Sequence, residues 1–215
     1  MSESFTPKVL ATLKVMHGDF QRWRYTRELA QLSKAGKSTI SEEFPRLVKL
    51  GVLNERREGR EVYYRLNLAN STARKLCELF ETEKRERFYN KNRRIAWSLQ
   101  DFTKLVFDTL PQTQSVVLFG SVARGQLTET SDVDLLAIVP TMEQQEFNSL
   151  MKSIDALATD MRGRYGLPIS VVTMTMKDFE TAVREKKRIA QDVLREGIVL
   201  FGEERYYQLL ARSTS

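Results

Sequence analysis

Two aspartates one residue apart, Asp132 and Asp134, stand at the head of an apolar run, Leu135-Leu136-Ala137-Ile138-Val139, that reads as a buried strand. Side chains alternate faces along a strand, so residues two apart point the same way and these carboxylates can converge on one divalent cation. Mg2+ suits such a pair, because it takes one or two carboxylates and fills its other positions with water and phosphate oxygens. Ten residues separate Asp132 from Ser121, where Gly120-Ser121 closes a second apolar run, Ser115-Val116-Val117-Leu118-Phe119. Gly120 lets the backbone approach a phosphate closely, and Ser121 offers a hydroxyl and an N–H where a short helix begins. Arg124 is placed to neutralise phosphate charge or to hold the loop. Two polar residues at a strand end would be the plain alternative, but the Gly-Ser at matching distance argues against it.

The arrangement Gly120-Ser121, ten residues, then Asp132-Val133-Asp134 resembles the signature of the nucleotidyltransferase superfamily that includes DNA polymerase beta. The fuller string, Gly120-Ser121-Val122-Ala123-Arg124-Gly125 followed by Ser131-Asp132-Val133-Asp134-Leu135-Leu136, is similar to its minimal nucleotidyltransferase branch, over about residues 95 to 205. The resemblance implies Mg2+-dependent transfer of a nucleoside monophosphate from an NTP, with ATP the expected nucleotide. Asp132 and Asp134 would be the catalytic metal ligands, and Gly120, Ser121 and Arg124 would bind nucleotide. It further implies that the acceptor is a protein hydroxyl, as in antitoxins that adenylylate a toxin, or a small molecule.

Active members of that superfamily carry a third carboxylate on a neighbouring strand, which completes a two-metal site and helps deprotonate the acceptor hydroxyl. The corresponding strand is Pro168-Ile169-Ser170-Val171-Val172-Thr173, after a helix from Met142 to Arg162, and Ser170 stands where the acid is expected. No Asp or Glu occurs between Asp160 and Asp178. Serine cannot act as a carboxylate base and is a poor metal ligand. Either the enzyme works with one well-held metal and another base, or the chain is a DNA-binding regulator whose impaired domain senses nucleotide. A helix from Thr181 to Glu196 and a short strand, Ile198-Val199-Leu200-Phe201, complete this part, with Lys186, Lys187 and Arg188 read as a solvated helix face.

The elements before residue 95 have another character. Residues 1–95 hold 21 Lys/Arg against 12 Asp/Glu, whereas residues 96–215 hold 13 against 16. Such asymmetry points to a basic module that meets a polyanion, joined to a more acidic one. Helical spacing covers Phe5 to Met16, Thr26 to Leu32, and a third segment from Thr39, where Thr39 and Glu42 have capping-box spacing. Pro45 inside the third helix predicts a bend or an irregular first turn. Two strand-like runs, Val52 to Arg57 and Arg60 to Leu66, flank a Gly-containing turn and read as a hairpin.

Three helices followed by a basic hairpin, over roughly residues 5 to 67, resemble the winged helix-turn-helix of small prokaryotic transcription regulators. The resemblance implies binding to double-stranded DNA. Lys37, Ser38, Thr39 and Ser41 would face base edges from the third helix, and Arg56, Arg57, Arg60 and Arg65 would meet phosphate from the wing. Glu42, Glu43, Glu58 and Glu61 dilute that positive surface. Residues 71 to 109 contain no Gly or Pro and read as continuous helix, with the charged stretch Glu81 to Arg87 a solvated connector. The expected organisation is a winged helix-turn-helix at 1–70, a connecting helix at 71–94, and a nucleotidyltransferase-like α/β (α+β) domain at 95–215, its small mixed sheet flanked by helices.

Composition narrows the remaining classes. The 215 residues are 41% hydrophobic and 29% charged, enough to build globular cores. No apolar run approaches the ~20 residues of a membrane helix, and the N-terminus lacks a basic-then-apolar leader. A single cysteine, Cys77, and a single histidine, His17, exclude an internal disulfide and a thiolate or histidine-cluster zinc site. Both read as structural. A reducing cytoplasm is the expected compartment, and a homodimer is expected from how such regulators meet paired half-sites.

Overall fold

The structure, a computed structural model, describes residues 5–126 and 132–213. It divides into two compact units, one reaching to Phe80 and one spanning Glu81–Ser213.

In the first unit, helix α1 (Pro7–His17) begins where Thr6 Oγ1 accepts the Val9 N–H at 3.3 Å, with Pro7 at a position that has no intrahelical N–H bond to lose. Its stripe of Val9, Leu13 and Met16 is buried against α2 (Thr26–Ser33) and α3 (Lys37–Lys49), which contribute Leu29, Ile40, Phe44 and Leu47. A short strand β1 (Arg24–Tyr25), which the sequence pattern does not reveal, joins the hairpin of β2 (Leu53–Glu58) and β3 (Glu61–Leu66) in the antiparallel order β1-β3-β2. Gly59 turns the hairpin at φ +58°, a left-handed conformation that favours glycine. Leu53, Tyr64 and Leu66 alternate inward, and Tyr64 meets Phe44 edge-on with ring centroids 5.1 Å apart. Helix α4 (Ser71–Lys91) follows and runs through the division between the units. Cys77 and His17 are buried, and His17 packs edge-on against Phe80.

Two local expectations are corrected. Helix α3 starts at Lys37 with Gly36 as its cap and no side-chain capping bond, so Thr39 already lies inside the first turn and no Thr39–Glu42 capping box forms. Pro45 lies inside this helix on its solvent-facing side, between the buried Phe44 and Leu47. Residues 71 to 109 form two helices, because Asn92 takes a non-helical conformation (φ −127°, ψ 51°) and its side-chain Nδ2 donates to the Phe88 carbonyl at 2.9 Å. Asparagine offers the backbone this competing bond, which a Gly/Pro scan does not detect.

The second unit contains α5 (Arg93–Thr109), β4 (Ser115–Phe119), α6 (Gly120–Ala123), β5 (Val133–Val139), α7 (Gln144–Tyr165), β6 (Ile169–Thr175), α8 (Met176–Arg184), α9 (Arg188–Glu196), β7 (Ile198–Phe201) and α10 (Glu203–Ser213). Its four-stranded sheet has the order β6-β5-β4-β7 and is mixed: β5 and β6 are parallel, joined by α7, and the other pairs are antiparallel. Alternation explains how both faces are buried. Val116, Leu118, Leu135, Ala137 and Val139 pack with Ile95, Leu99, Phe102 and Val106 of α5 and with Leu150, Ile154 and Met161 of α7. Each of the larger side chains contributes about 1.5–3 kcal/mol when fully removed from water. Val117, Leu136, Ile138 and Val199 belong to the opposite face, and α8, α9 and α10 pack against β4, β5 and β7. The single helix expected from Thr181 to Glu196 is two helices, since Lys186 adopts a left-handed φ of 54° and the Lys187 N–H closes back on the Ala182 carbonyl.

The edge strand β7 is guarded by charge. An edge leaves backbone groups without a neighbouring strand, and here α4 supplies their partners. Glu81, only 3% exposed, accepts the Val199 N–H at 2.9 Å and the Tyr207 hydroxyl at 3.0 Å. Arg85 donates to the carbonyls of Val199 and Leu200 at 3.2 Å each, and Lys84 donates to the Gly197 carbonyl. The stretch read as a solvated connector is therefore partly a clamp on the sheet. Among the described residues no helix is long and apolar enough to cross a membrane. Replacing Glu81 by Ala should cost at least about 2 kcal/mol in urea unfolding, because buried donors lose a charged acceptor, while Tyr207→Phe should cost about 1 kcal/mol. A Glu81→Ala protein as stable as wild type would refute the clamp.

Candidate active site

The site forms where β4 ends and β5 and β6 begin. Register places Phe119 opposite Asp134, and Asp134 opposite Ser170, so these three residues form one row across β4, β5 and β6. Cross-strand partners share a face of the sheet. Gly120, one residue past the row, has φ +75°, and a Cβ there would stand 2.3 Å from Asp134 Oδ2. Only glycine satisfies both the backbone angle and that close approach. Asp132 precedes the first residue of β5 and is exposed, and the Val133 N–H bonded to the Pro168 carbonyl at 2.9 Å fixes the strand's entrance. Asp132 and Asp134 thus occupy the strand mouth as expected, with Gly120 against the second of them. Ser131 lies outside the described residues.

Electrostatics ties the pair together. Burial pushes the Asp134 carboxyl above the ordinary carboxylate range, the negative charge of Asp132 pushes it further, and Arg124 pulls it back. Two carboxylates in this relation favour a cation between them. Among the described residues no group of three or more His, Cys, Asp and Glu side chains could hold a metal ion. Two carboxylates match the small set of protein ligands that Mg2+ takes, its other positions being filled by water and phosphate oxygens.

Neighbouring residues sharpen the picture. Ser170 is exposed and faces the same side as Asp134. The next acid along, Asp178, belongs to the other end of β6, where Thr175 Oγ1 accepts its N–H at 3.1 Å and donates to its Oδ2 at 2.6 Å. Five residues of strand put that end about 17 Å from Ser170, so Asp178 does not replace the missing acid. Arg124 is engaged within the unit: its Nη1 meets Glu196 Oε1 at 2.5 Å and its Nε donates to Gln126 Oε1 at 3.2 Å. Ser121 lies in α6, half-buried.

Comparison with known proteins bears on this part of the chain. Residues 101–200 match the nucleotidyltransferase domain family. A Methanocaldococcus jannaschii protein, provisionally named a protein adenylyltransferase, is 36% identical over 64 residues, which are 30% of this chain and 43% of that protein. The chain thus spans less than half the length of this relative. No solved structure matches the chain significantly. The matched nucleotidyltransferase segment contains the whole row and the Gly120 turn, and it ends one residue before Phe201.

Outside the matched segment, the candidate DNA contacts fall on two elements of the first unit. Lys37, Ser38 and Ser41 are exposed and Thr39 half-exposed in the first turns of α3. On the hairpin, Arg60 is exposed at the turn, Arg57 pairs with Glu55 at 2.8 Å, and Arg56 pairs with Glu58 at 3.0 Å. Arg56 and Arg65 also lie over the Trp23 ring, 4.9 and 4.8 Å from its centroid. Two residues escaped the sequence reading. Trp23, which orders two of the arginines, sits between Arg22 and Arg24, an aromatic among cations that could have been noticed. Glu196 lies 72 residues from Arg124, and no spacing rule links them.

The raised Asp134 carboxyl has a measurable consequence for stability. A carboxyl that binds its proton more tightly in the folded state lowers stability as pH rises from the unfolded carboxylate range through its own raised range, and the loss persists at neutral pH. Asp134→Asn should therefore melt above wild type at pH 7 without divalent cations, and the gap should close as pH falls below 4. Mg2+ should stabilise wild type more than the variant. A variant that melts lower than wild type at pH 7 and equally at acid pH would contradict the assigned environment.

Proposed function

We propose that the nucleotidyltransferase domain binds a Mg2+–NTP complex, with ATP the expected nucleotide, and transfers its nucleoside monophosphate to a hydroxyl acceptor. The observation that carries this reading is the row of Phe119, Asp134 and Ser170 with Gly120 packed on Asp134: an acidic strand mouth facing a glycine turn. Asp132 and Asp134 would hold the cation, which when bound supplies charge neutralisation for the phosphates and the leaving pyrophosphate. Gly120 and Ser121 would seat the triphosphate, with the turn's backbone close to it. The acceptor oxygen would bond to the α-phosphorus as pyrophosphate departs. The name of the archaeal relative supports a protein as acceptor. A cytoplasmic setting and a homodimer belong to the same proposal.

Ser170 favours a second reading, in which nucleotide is bound and sensed without turnover. It supplies no carboxylate to a second cation or to the acceptor proton. Incubation with labelled ATP, Mg2+ and cell extract separates the two, because transfer leaves label on an acceptor and sensing does not. NTP binding should require a divalent cation, and Asp132→Asn or Asp134→Asn should weaken it by more than ~10-fold, or about 1.4 kcal/mol. Ser170→Asp should raise transfer if wild type is held back at that position. Calorimetry in which wild type and both Asn variants bind Mg2+–ATP equally would sink the reading.

The first unit is proposed to be a winged helix-turn-helix that binds duplex DNA, with α3 toward base edges and the β2–β3 hairpin along the backbone. The basic excess before residue 95 and the arginines ordered on Trp23 support it. The full-length chain should then bind DNA with affinity that falls steeply as salt rises. Replacing Arg56, Arg57 and Arg60 together by Ala should weaken binding to all sequences and flatten the salt slope, whereas changes at Ser38 or Thr39 should alter sequence preference. Binding that ignores salt, or no binding at low salt, would refute it.

A further inference from the structure

Glu196 closes a ring of contacts around the turn that carries Gly120 and Ser121. It is the last residue of α9, and its carboxylate, on a side chain 9% exposed, faces Arg124 Nη1 at 2.5 Å. Arg124 caps α6, its N–H bonded to the Gly120 carbonyl at 3.3 Å. The other end of the ring is anchored just as closely. Gly197 follows Glu196, and a Cβ there would come 2.3 Å from the Val193 carbonyl oxygen and 2.9 Å from Val117 Cγ1. Val117 lies on β4, the strand that runs into Gly120. The ring therefore passes from β4 through α6, Arg124, Glu196 and Gly197 and returns to β4, and the Arg124–Glu196 pair is its charged link.

We propose that Glu196 is a positioning residue: by holding Arg124 it presses the Gly120–Arg124 turn onto Asp134 and so shapes the seat of the triphosphate. Arg124 then acts as a strut, with its Nη1 engaged by Glu196 and its Nε by Gln126. A charge-assisted bond to a carboxylate this buried is among the stronger polar contacts available. The neighbouring Arg195, 3.7 Å from the other Glu196 oxygen, is 70% exposed and adds little. The turn lies close against Asp134, since a Cβ on Gly120 would stand 2.3 Å from Asp134 Oδ2, so a shift of the turn alters that contact. The role in nucleotide binding rests on the nucleotidyltransferase reading of the site, whereas the hold on the turn does not.

Two measurements on the full-length chain test it. Hydrogen–deuterium exchange without nucleotide reads the turn directly: residues 120–126 should exchange several-fold faster in Glu196→Gln than in wild type. Calorimetry with Mg2+–ATP reads the seat: Glu196→Gln and Arg124→Ala should each lose about 10-fold in affinity, and the double variant no more than either alone, because they break one link. Arg124→Ala, at a position 41% exposed, reads the same link from its other end should Glu196→Gln fail to fold. Wild-type exchange and wild-type affinity in Glu196→Gln would overturn the proposal. So would an Arg124→Ala loss far exceeding that of Glu196→Gln, which would make Arg124 a phosphate ligand. Faster exchange in a chain whose wild type binds no Mg2+–NTP would overturn the nucleotide reading of the site and leave the strut standing.

Discussion

Like charges at the mouth of one strand set the terms for everything around them. Asp132 and Asp134 repel each other, Asp134 is partly removed from water, and both effects drive its carboxyl toward the protonated form. The fold tolerates this cost because many apolar contacts elsewhere pay for it. Leu135, Ala137 and Val139, continuing the same strand, are buried against α5 and α7, so β5 cannot slide to relieve the strain at its first residues. Register does the rest. With Phe119 fixed opposite Asp134, the chain leaving β4 must pass directly beside the carboxylate, and only a glycine can make that passage. The site is the place where local preference yields to a sheet that the core determines, as strained functional sites commonly do.

A four-stranded sheet with a site at one end must also have secure edges, or the register that aligns the row would drift. Here β7 pairs with β4 on one side and meets Glu81, Lys84 and Arg85 on the other. That arrangement gives α4 a second purpose beyond joining segments. Its charges satisfy backbone groups that would otherwise offer a template to another strand. Arg85 also pairs with Glu203 at the start of α10, so strand, helix and connector are cross-linked by the same few side chains. The start of β7 is in turn the anchor for Glu196, through Gly197 packed on Val117.

Much of this was legible in the sequence, for identifiable reasons. The strands around the site were readable because Val116 to Leu118 and Leu135 to Val139 are unbroken apolar runs bounded by Gly and Asp, and the paired aspartates fall on them at matching distance. Ser170 could be placed because the resemblance puts a third acid on the strand after the long helix, and the register sets Ser170 opposite Asp134. What failed was local in a different sense. The breaks at Asn92 and Lys186 depend on one hydrogen bond and one left-handed residue, neither of which alters hydrophobic periodicity. Strand β1 is two residues long and exists by pairing with Tyr63 and Tyr64, so it carries no pattern of its own. Glu81 looked like one more charge in a solvated run, since nothing in a single sequence marks which member of Glu81 to Arg87 turns inward.

The charge balance of the row explains why Ser170 bears on turnover more than on binding. An acid at that position would bring a third negative charge to a mouth where burial and the charge of Asp132 already push the Asp134 carboxyl upward. On the proposed reading, serine there would leave two carboxylates for a single divalent cation to neutralise, and an incoming nucleotide would bring that cation with it. Binding would then be easier than with a third acid in the row. Transfer is another matter, because only interactions that strengthen as charge moves onto the leaving pyrophosphate lower the barrier. Arg124 bonds to Glu196 and Gln126 through Nη1 and Nε, so on the proposed reading most of that stabilisation would come from the cation and the backbone of the Gly120 turn. On that reading the acceptor would lose its proton to Asp134, to Asp132 or to water. Asp134 would then have to take that proton while also holding the cation, and a bound cation favours its ionised form. One carboxylate is thereby asked to serve two incompatible purposes, which is the physical reason a third acid in this row would matter.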